Sequence, residues 1–375
     1  MMLGKQIDSH VINLMRFPLA LFVLIHHSFG KPIEAFYDNF FDLNAYNQVR
    51  VLFSHVLVHI DVPIFYFISG YLFYLSLPER WNWNLYQSKL RKKVFTLLIP
   101  YLLWNVIALI VSYLIKIFFY HENIRSIMQD LMNKKLDVFW GAEIINRVDY
   151  GVLGLNYVEY YPINGPLWFM RDLMLMMIIS PVIWGLIKKK LGIALIILMM
   201  LCFILRLPPL VTGFSWSALA FFSFGAYFSI TKSSFTEVFN RYANIVKCFA
   251  LSLLALDVFY GGGHCGWAVV HPIFIILFMM AFINYASHVV NKNIFRPLIG
   301  CQQYCFFLYA GHMGLSLVFI FQYLFRKIIP DTSTCYLLVS RYFLVIFSVA
   351  LFCIILNKTL KSLFPKVANL FTGNR

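Results

Sequence analysis

Apolar stretches long enough to cross a bilayer as helices recur along the whole chain, at about residues 11–29, 51–77, 94–118, 165–187, 191–206, 211–230, 243–260, 267–289, 300–325 and 335–357. They predict an all-α fold, a polytopic bundle of about ten transmembrane helices. The fifth run, LGIALIILMMLCFILR, is short and closed by Pro208 and Pro209, which suits a tilted or re-entrant piece as well as a full span. Composition agrees: 61% of the 375 residues are hydrophobic and 13% charged, against about a quarter charged in soluble domains.

The formal charge of +15 is distributed by topology. A cytoplasmic N-terminus puts 18 of the 31 Lys and Arg on the inner side, including Arg80, Lys89, Arg91, Lys92, Lys93, Lys188 to Lys190 and the short basic tail after the tenth span. Both termini are therefore expected in the cytoplasm. The excess charge matches anionic lipid headgroups, and no nucleic-acid module is present. No cleavable leader is expected, because Arg16 interrupts the first apolar run and no small-residue cleavage site follows. Seven cysteines form no Cys-x-x-Cys pair; only Cys265 and Cys335 lie near the outer face, and nothing in their spacing requires that they pair. Residues 1–375 read as one membrane domain.

Ionisable groups inside spans are costly enough to point to function. In RFPLALFVLIHH, Arg16 and His27 are eleven residues apart and fall within about 20° of one helix face, about 16 Å apart along the axis; His26 points about 80° away. The second span places His55, His59 and Asp61 in its outer half and Ser69, Gly70 and Tyr71 deeper. The fourth puts Trp168 and Arg171 on one face, and the ninth carries Tyr309 and His312 near its middle. Together these describe a polar interior. His55 and His59 have the spacing of helical zinc ligands, but no third ligand is evident, so no metal is expected.

Five segments carry a resemblance: RFPLALFVLIHH; VPIFYFISGYLF; KLRKKVFTLLIPYLLWN; GPLWFMRDLMLMMIISP; and FFLYAGHM. In this order and spacing the chain resembles the acyltransferase 3 family, ten-span membrane enzymes that O-acylate cell-surface polysaccharides. The resemblance implies that His27 is the essential histidine and Arg16 the motif arginine, and it matches Arg91, Lys92 and Lys93 to the family's basic cluster before the third span. This copy has lysines where an arginine pair is common, and Lys lacks the planar fork that grips phosphate in two places.

The expected partners are an acyl-CoA such as acetyl-CoA, a glycan acceptor and the lipid bilayer. The phosphates of the donor suit Arg91, Lys92 and Lys93, with Arg16 holding a phosphate or the pantetheine arm and His27 acting as general base. Ser69, Tyr71, Trp168, Arg171 and His312 are the substrate or oxyanion candidates. Outer loops add Phe36, Tyr37, Phe40, Phe41 and Tyr46, and then Trp140, Tyr150, Tyr157, Tyr160 and Tyr161 with Asp137, Glu143, Asp149 and Glu159. These suit sugar rings or an interfacial aromatic belt equally. A polar-lined bundle also fits a glycan exporter or flippase that transfers no acyl group. The acyl group, the glycan and the oligomeric state are not encoded in any motif.

Overall fold

The computed structural model describes residues 2–29, 43–133, 136–141, 143–145, 159–209, 211–259 and 269–374. It is an all-α membrane bundle, with one two-stranded antiparallel pair, Glu143–Ile145 against Glu159–Tyr161, among the described residues. A helix occupies every one of the ten expected positions. Five are individually long and apolar enough to cross a membrane: Gln6–His27, Ala45–Leu75, Trp83–Phe118, Val270–Val289 and Cys335–Leu363. Two more positions are filled by broken helices, Gly165–Ile178 with Ser180–Lys188 bent by 56°, and Asn293–Gly314 with Leu317–Ile328 bent by 66°. The remaining three are short; Gly192–Ile204, at 13 residues, rises only about 20 Å.

Prolines explain where regular helix fails. Pro63 has no N–H for the His59 carbonyl and crowds it, and the turn before it tightens to the 3-10 helix Leu57–Ile60, preceded by the π-helical turn Leu52–Val56. His55 and His59 thus do not sit on a regular helical ladder, which removes the premise of the zinc-ligand spacing. Pro100 likewise follows a π-helical turn, Val94–Leu98.

The second and sixth expected spans meet at the tightest crossing. A Cβ added to Gly70 would lie 2.0 Å from the Phe222 carbonyl oxygen, and one added to Gly225 would lie 1.9 Å from that of Phe67. Only glycine permits this approach of Asp61–Leu75 to Trp216–Thr231, the usual role of small residues between membrane helices. Near the start of the first helix, buried Asp8 accepts hydrogen bonds from Thr236 N (3.2 Å), Thr236 Oγ1 (2.6 Å), Ser234 Oγ (3.0 Å) and Tyr71 Oη (3.3 Å). Four donors balance one buried carboxylate, tying three elements together.

The segment after the tenth span differs from the expected basic tail. Its helix continues to Leu363, and a further helix, Pro365–Thr372, packs back against it and against Ile99–Phe118. Trp104 Nε1 donates to the Phe371 carbonyl at 3.0 Å, and Gly373, at φ +65°, lies where a Cβ would come within 2.5 Å of the Thr96 oxygen.

Candidate active site

Two cavities lie along the first helix. The inner one has a volume of about 740 Å³ and is bordered by Arg16, Ser69, Lys89, Lys92, Lys93, Gln302 and Gln303, with Phe65, Phe169, Phe306 and Tyr309. Arg16 Nη1 is 3.4 Å from Gln302 Oε1. The cationic wall belongs to the helix Trp83–Lys93, and its register decides which basic residues contribute. Lys89, Lys92 and Lys93 follow the i, i+3, i+4 spacing of one face, whereas Arg91 lies about 150° away from their mean direction. Arg91 is accordingly exposed and does not border the cavity. Lys89 takes its place, donating to the Phe73 carbonyl with its ammonium 5.0 Å from the Phe73 ring.

The outer cavity, about 310 Å³, is bordered by His26, His59, Asp61, Trp168, Arg171 and His271 among others. Adjacent residues of one helix serve different cavities: Trp168 borders the outer and Phe169 the inner. Between them stand tilted and edge-on aromatics, with Tyr66 4.6 Å from Phe169, Phe65 5.8 Å and Tyr309 6.0 Å from the same ring. The Tyr309 hydroxyl is tied to the Pro166 carbonyl. An aromatic partition thus separates the two spaces.

Six of the chain's ten histidines form one linked set beyond the partition. Ring centroids run 5.3 Å from His312 to His27, 5.0 Å to His26, 4.5 Å to His59 and 5.9 Å to His55, and His59 is 4.9 Å from His271. His59 Nδ1 and His271 Nε2 are 2.7 Å apart, and His271 Nδ1 is 2.6 Å from Asp257 Oδ2. A carboxylate accepts, so His271 carries its proton on Nδ1, accepts at Nε2 from His59 Nδ1, and leaves Nε2 as the unprotonated nitrogen of His59. The π and 3-10 turns before Pro63 bring His55 and His59 to this set. Among the described residues no group of three or more His, Cys, Asp or Glu is arranged to hold a metal ion.

The predicted site residues therefore separate. Arg16, Lys92, Lys93 and Ser69 border the inner cavity; Trp168 and Arg171 border the outer. His27 packs on His312. Tyr71 is engaged with Asp8 and stands apart from the histidines, which corrects its candidacy as an oxyanion donor. Arg171 commits its guanidinium to Asp172 (3.0 Å) and to the carbonyls of Trp140 (2.7 Å) and Tyr160 (2.8 Å), so its first task is to seat the outer loop. His312 is fully buried and its Nδ1 lies 3.0 Å from the Leu308 carbonyl; a carbonyl only accepts, so the neutral ring has no second N–H to offer an oxyanion. Its Nε2 has no hydrogen-bond partner among the described residues.

Of the outer aromatic residues, Trp140, Tyr160 and Tyr161 gather near the outer cavity, where Trp140 stands beneath the Arg171 guanidinium. Phe36, Tyr37, Phe40, Phe41, Tyr150, Tyr157, Asp149 and Cys265 lie outside the described residues. The sequence reading missed Lys89 as a cavity residue, and it missed Gln302, Asp257 and His271. The last two had a usable signal, an acid and a histidine at the outer ends of consecutive apolar runs.

The comparisons with known proteins agree with this architecture. A family profile described as an acyltransferase domain matches residues 9–358. Succinoglycan biosynthesis protein ExoH of Rhizobium meliloti (strain 1021) is 27% identical over 259 residues, 67% of this chain and 62% of that protein. The match thus spans less than two thirds of the relative's length. No solved structure matches the chain. With a profile match running almost from end to end, the chain belongs to the acyltransferase 3 family.

Proposed function

We propose that this protein transfers an acetyl group from cytoplasmic acetyl-CoA to a hydroxyl of a cell-surface glycan, with His27 as general base. The observation that carries this reading is the pair of cavities on one helix: a cationic inner cavity reached by Arg16 and a histidine-rich, uncharged-on-balance outer one reached by His26. A phosphate-rich donor fits the first, where Arg16, Lys89, Lys92 and Lys93 offer charge-assisted hydrogen bonds. The pantetheine arm would then extend along the first helix and pass the partition at Phe65, Phe169 and Tyr309. The name of the ExoH relative supports a polysaccharide as the acceptor. In this reading both termini face the cytoplasm of a cell membrane, and residues 1–375 act as one domain.

The chemistry balances with one base. His27 accepts the proton of the acceptor hydroxyl as its oxygen attacks the thioester carbonyl, and the tetrahedral intermediate collapses with loss of the CoA thiolate. The thiolate takes the proton from the imidazolium, giving an ester and a free thiol. His312, whose ring packs on His27, suits a positioning role that holds the His27 imidazole in place.

Membrane vesicles of known orientation test the proposal. Radiolabel supplied as acetyl-CoA on the cytoplasmic face should appear on acceptor glycan at the opposite face, and only when His27 is present. Label that stays on glycan at the cytoplasmic face would refute transfer across the membrane.

A further inference from the structure

We propose that the outer cavity is a binding site for a neutral sugar ring, in which Asp61 accepts a hydroxyl hydrogen bond while the ring lies against Trp168. This deepens the acyl-transfer reading by naming the acceptor's subsite, and it rests on that reading only for the claim that the bound sugar is acylated.

Asp61 carries the argument. It opens the helix Asp61–Leu75, is 2% exposed, and uses Oδ1 to accept from Val62 N at 2.6 Å. Its Oδ2 has no hydrogen-bond partner among the described residues, and His26 Nδ1, at 3.9 Å, is beyond hydrogen-bond reach. A buried acceptor left without a donor destabilises a fold, the more so when charged, so a side chain kept this way at a cavity wall is suited to a ligand's donor.

The walls state what kind of donor. Two arginines, Arg171 and Arg206, and two aspartates, Asp61 and Asp172, border the cavity, so its formal charges cancel. Neither an anion nor a cation is favoured by the field as a whole, and a neutral polyhydroxylated ligand meets no charge penalty. Trp168 supplies the flat apolar face that the C–H side of a pyranose needs, and Tyr161 stands at right angles to it, with centroids 6.3 Å apart. A volume of about 310 Å³ is at the small end for ligand pockets, the scale of a ring and its immediate substituents. The Asp257–His271–His59 chain fixes the part of the wall that His59 and His271 form, because each member's hydrogen bond sets the next ring's tautomer and tilt. The sugar would lie beside His26, one residue from His27.

The test uses the whole protein in lipid nanodiscs and saturation-transfer NMR, with methyl β-D-glucopyranoside as probe and cyclohexylmethanol, a ring lacking its ring hydroxyls, as control. Wild-type protein should transfer saturation to the glucoside ring and much less to the control. Asp61→Leu, which removes the acceptor while filling its space with apolar atoms, should weaken glucoside binding at least tenfold and leave CoA binding unchanged. If Asp61→Leu is not recovered folded, as judged by a monodisperse elution profile and helical circular dichroism, Trp168→Ala carries the same expectation. Equal glucoside signals in wild type and in the folded variant would overturn the proposal, and so would equal signals from glucoside and cyclohexylmethanol. The acyl-transfer reading fails by a different result: glucoside binding that depends on Asp61 in a protein that binds no CoA leaves the sugar site standing and removes the donor.

Discussion

Replacing Lys92 and Lys93 together with alanine should weaken CoA binding about 30-fold, whereas Arg91→Ala should change it less than threefold. Three adjacent cations in the sequence look equivalent, but only two of them border the inner cavity. A hydrogen bond to a charged group contributes about 1.5–3 kcal/mol when sheltered. Lys92 is exposed and Lys93 partly so, which brings the contribution down to about 1 kcal/mol each. Two such losses give about 2 kcal/mol, or about 30-fold in Kd. Arg16, whose guanidinium can hold a phosphate in two places, should cost more than either lysine when replaced by alanine. Equilibrium binding of CoA to protein in nanodiscs measures all four, at about 0.1 M and about 0.5 M salt. Screening should weaken the wild type more than the double variant, which has two fewer solvent-accessible cations for salt to screen. An Arg91→Ala variant as weak as the double variant would refute the helical-face reasoning. Unchanged binding in the double variant would refute the inner cavity as the donor site.

His27→Ala should lower acyl transfer by about 10²- to 10⁴-fold, the usual contribution of a general base, with CoA binding retained, while His26→Ala keeps substantially more transfer; the reverse ranking in a glycan-acylation assay would move the base to His26. Phe169→Ala opens the partition between the cavities and should raise hydrolysis of acyl-CoA by water relative to transfer, read as free CoA formed per ester formed; an unchanged ratio would show that the aromatic partition excludes nothing. Gly70→Ala places a Cβ 2.0 Å from the Phe222 carbonyl oxygen and should destabilise by at least the 1–3 kcal/mol typical of overpacking, seen as loss of folded protein on heating in detergent. Gly185→Ala, which meets nothing within 4 Å, serves as the matched control and should be recovered normally.

Much of the bundle was legible because bilayer crossing is written locally: an apolar run of sufficient length folds as a helix whatever it packs against. The placement of Arg16 and His27 toward different ends of one helix was legible for the same reason, since helical rise and twist are fixed. What failed was register across irregular turns. The interval from His55 to His59 is a π turn running into a 3-10 turn, so the angle assumed for a regular helix does not apply. Pairings between helices were also hidden. Asp257, His271 and His59 come from three separate elements, and no periodicity along a chain states which residue of one helix meets which residue of another. Arg91 was grouped with the lysines because the resemblance matches all three to one basic cluster, and such a match carries no helical phase.

Prolines show where sequence information stops. Pro181, like Pro63 and Pro100, withholds the N–H that a carbonyl four residues earlier would use, and each can be read from the sequence as a break. The freed carbonyl then needs a donor or a close neighbour, and that choice is tertiary. At Pro181 the Met177 oxygen accepts from Ser180 Oγ at 2.7 Å and from Tyr86 Oη at 3.4 Å, while Tyr74 Oη caps the Ser180 carbonyl at 2.6 Å. At Pro100 the Thr96 carbonyl is where Gly373 packs, more than 270 residues away in the chain. Apolar surroundings make an unmet carbonyl costly, so each break selects partners from whatever elements the fold brings near. The breaks are also where the cavities open: Pro63 precedes the aromatics of the partition and follows His59 and Asp61, and Pro100 follows the lysine face of the donor cavity. A regular helix before Pro63 would turn its polar side chains round the axis by the ordinary 100° per residue, and His59 and Asp61 would no longer border the outer cavity together.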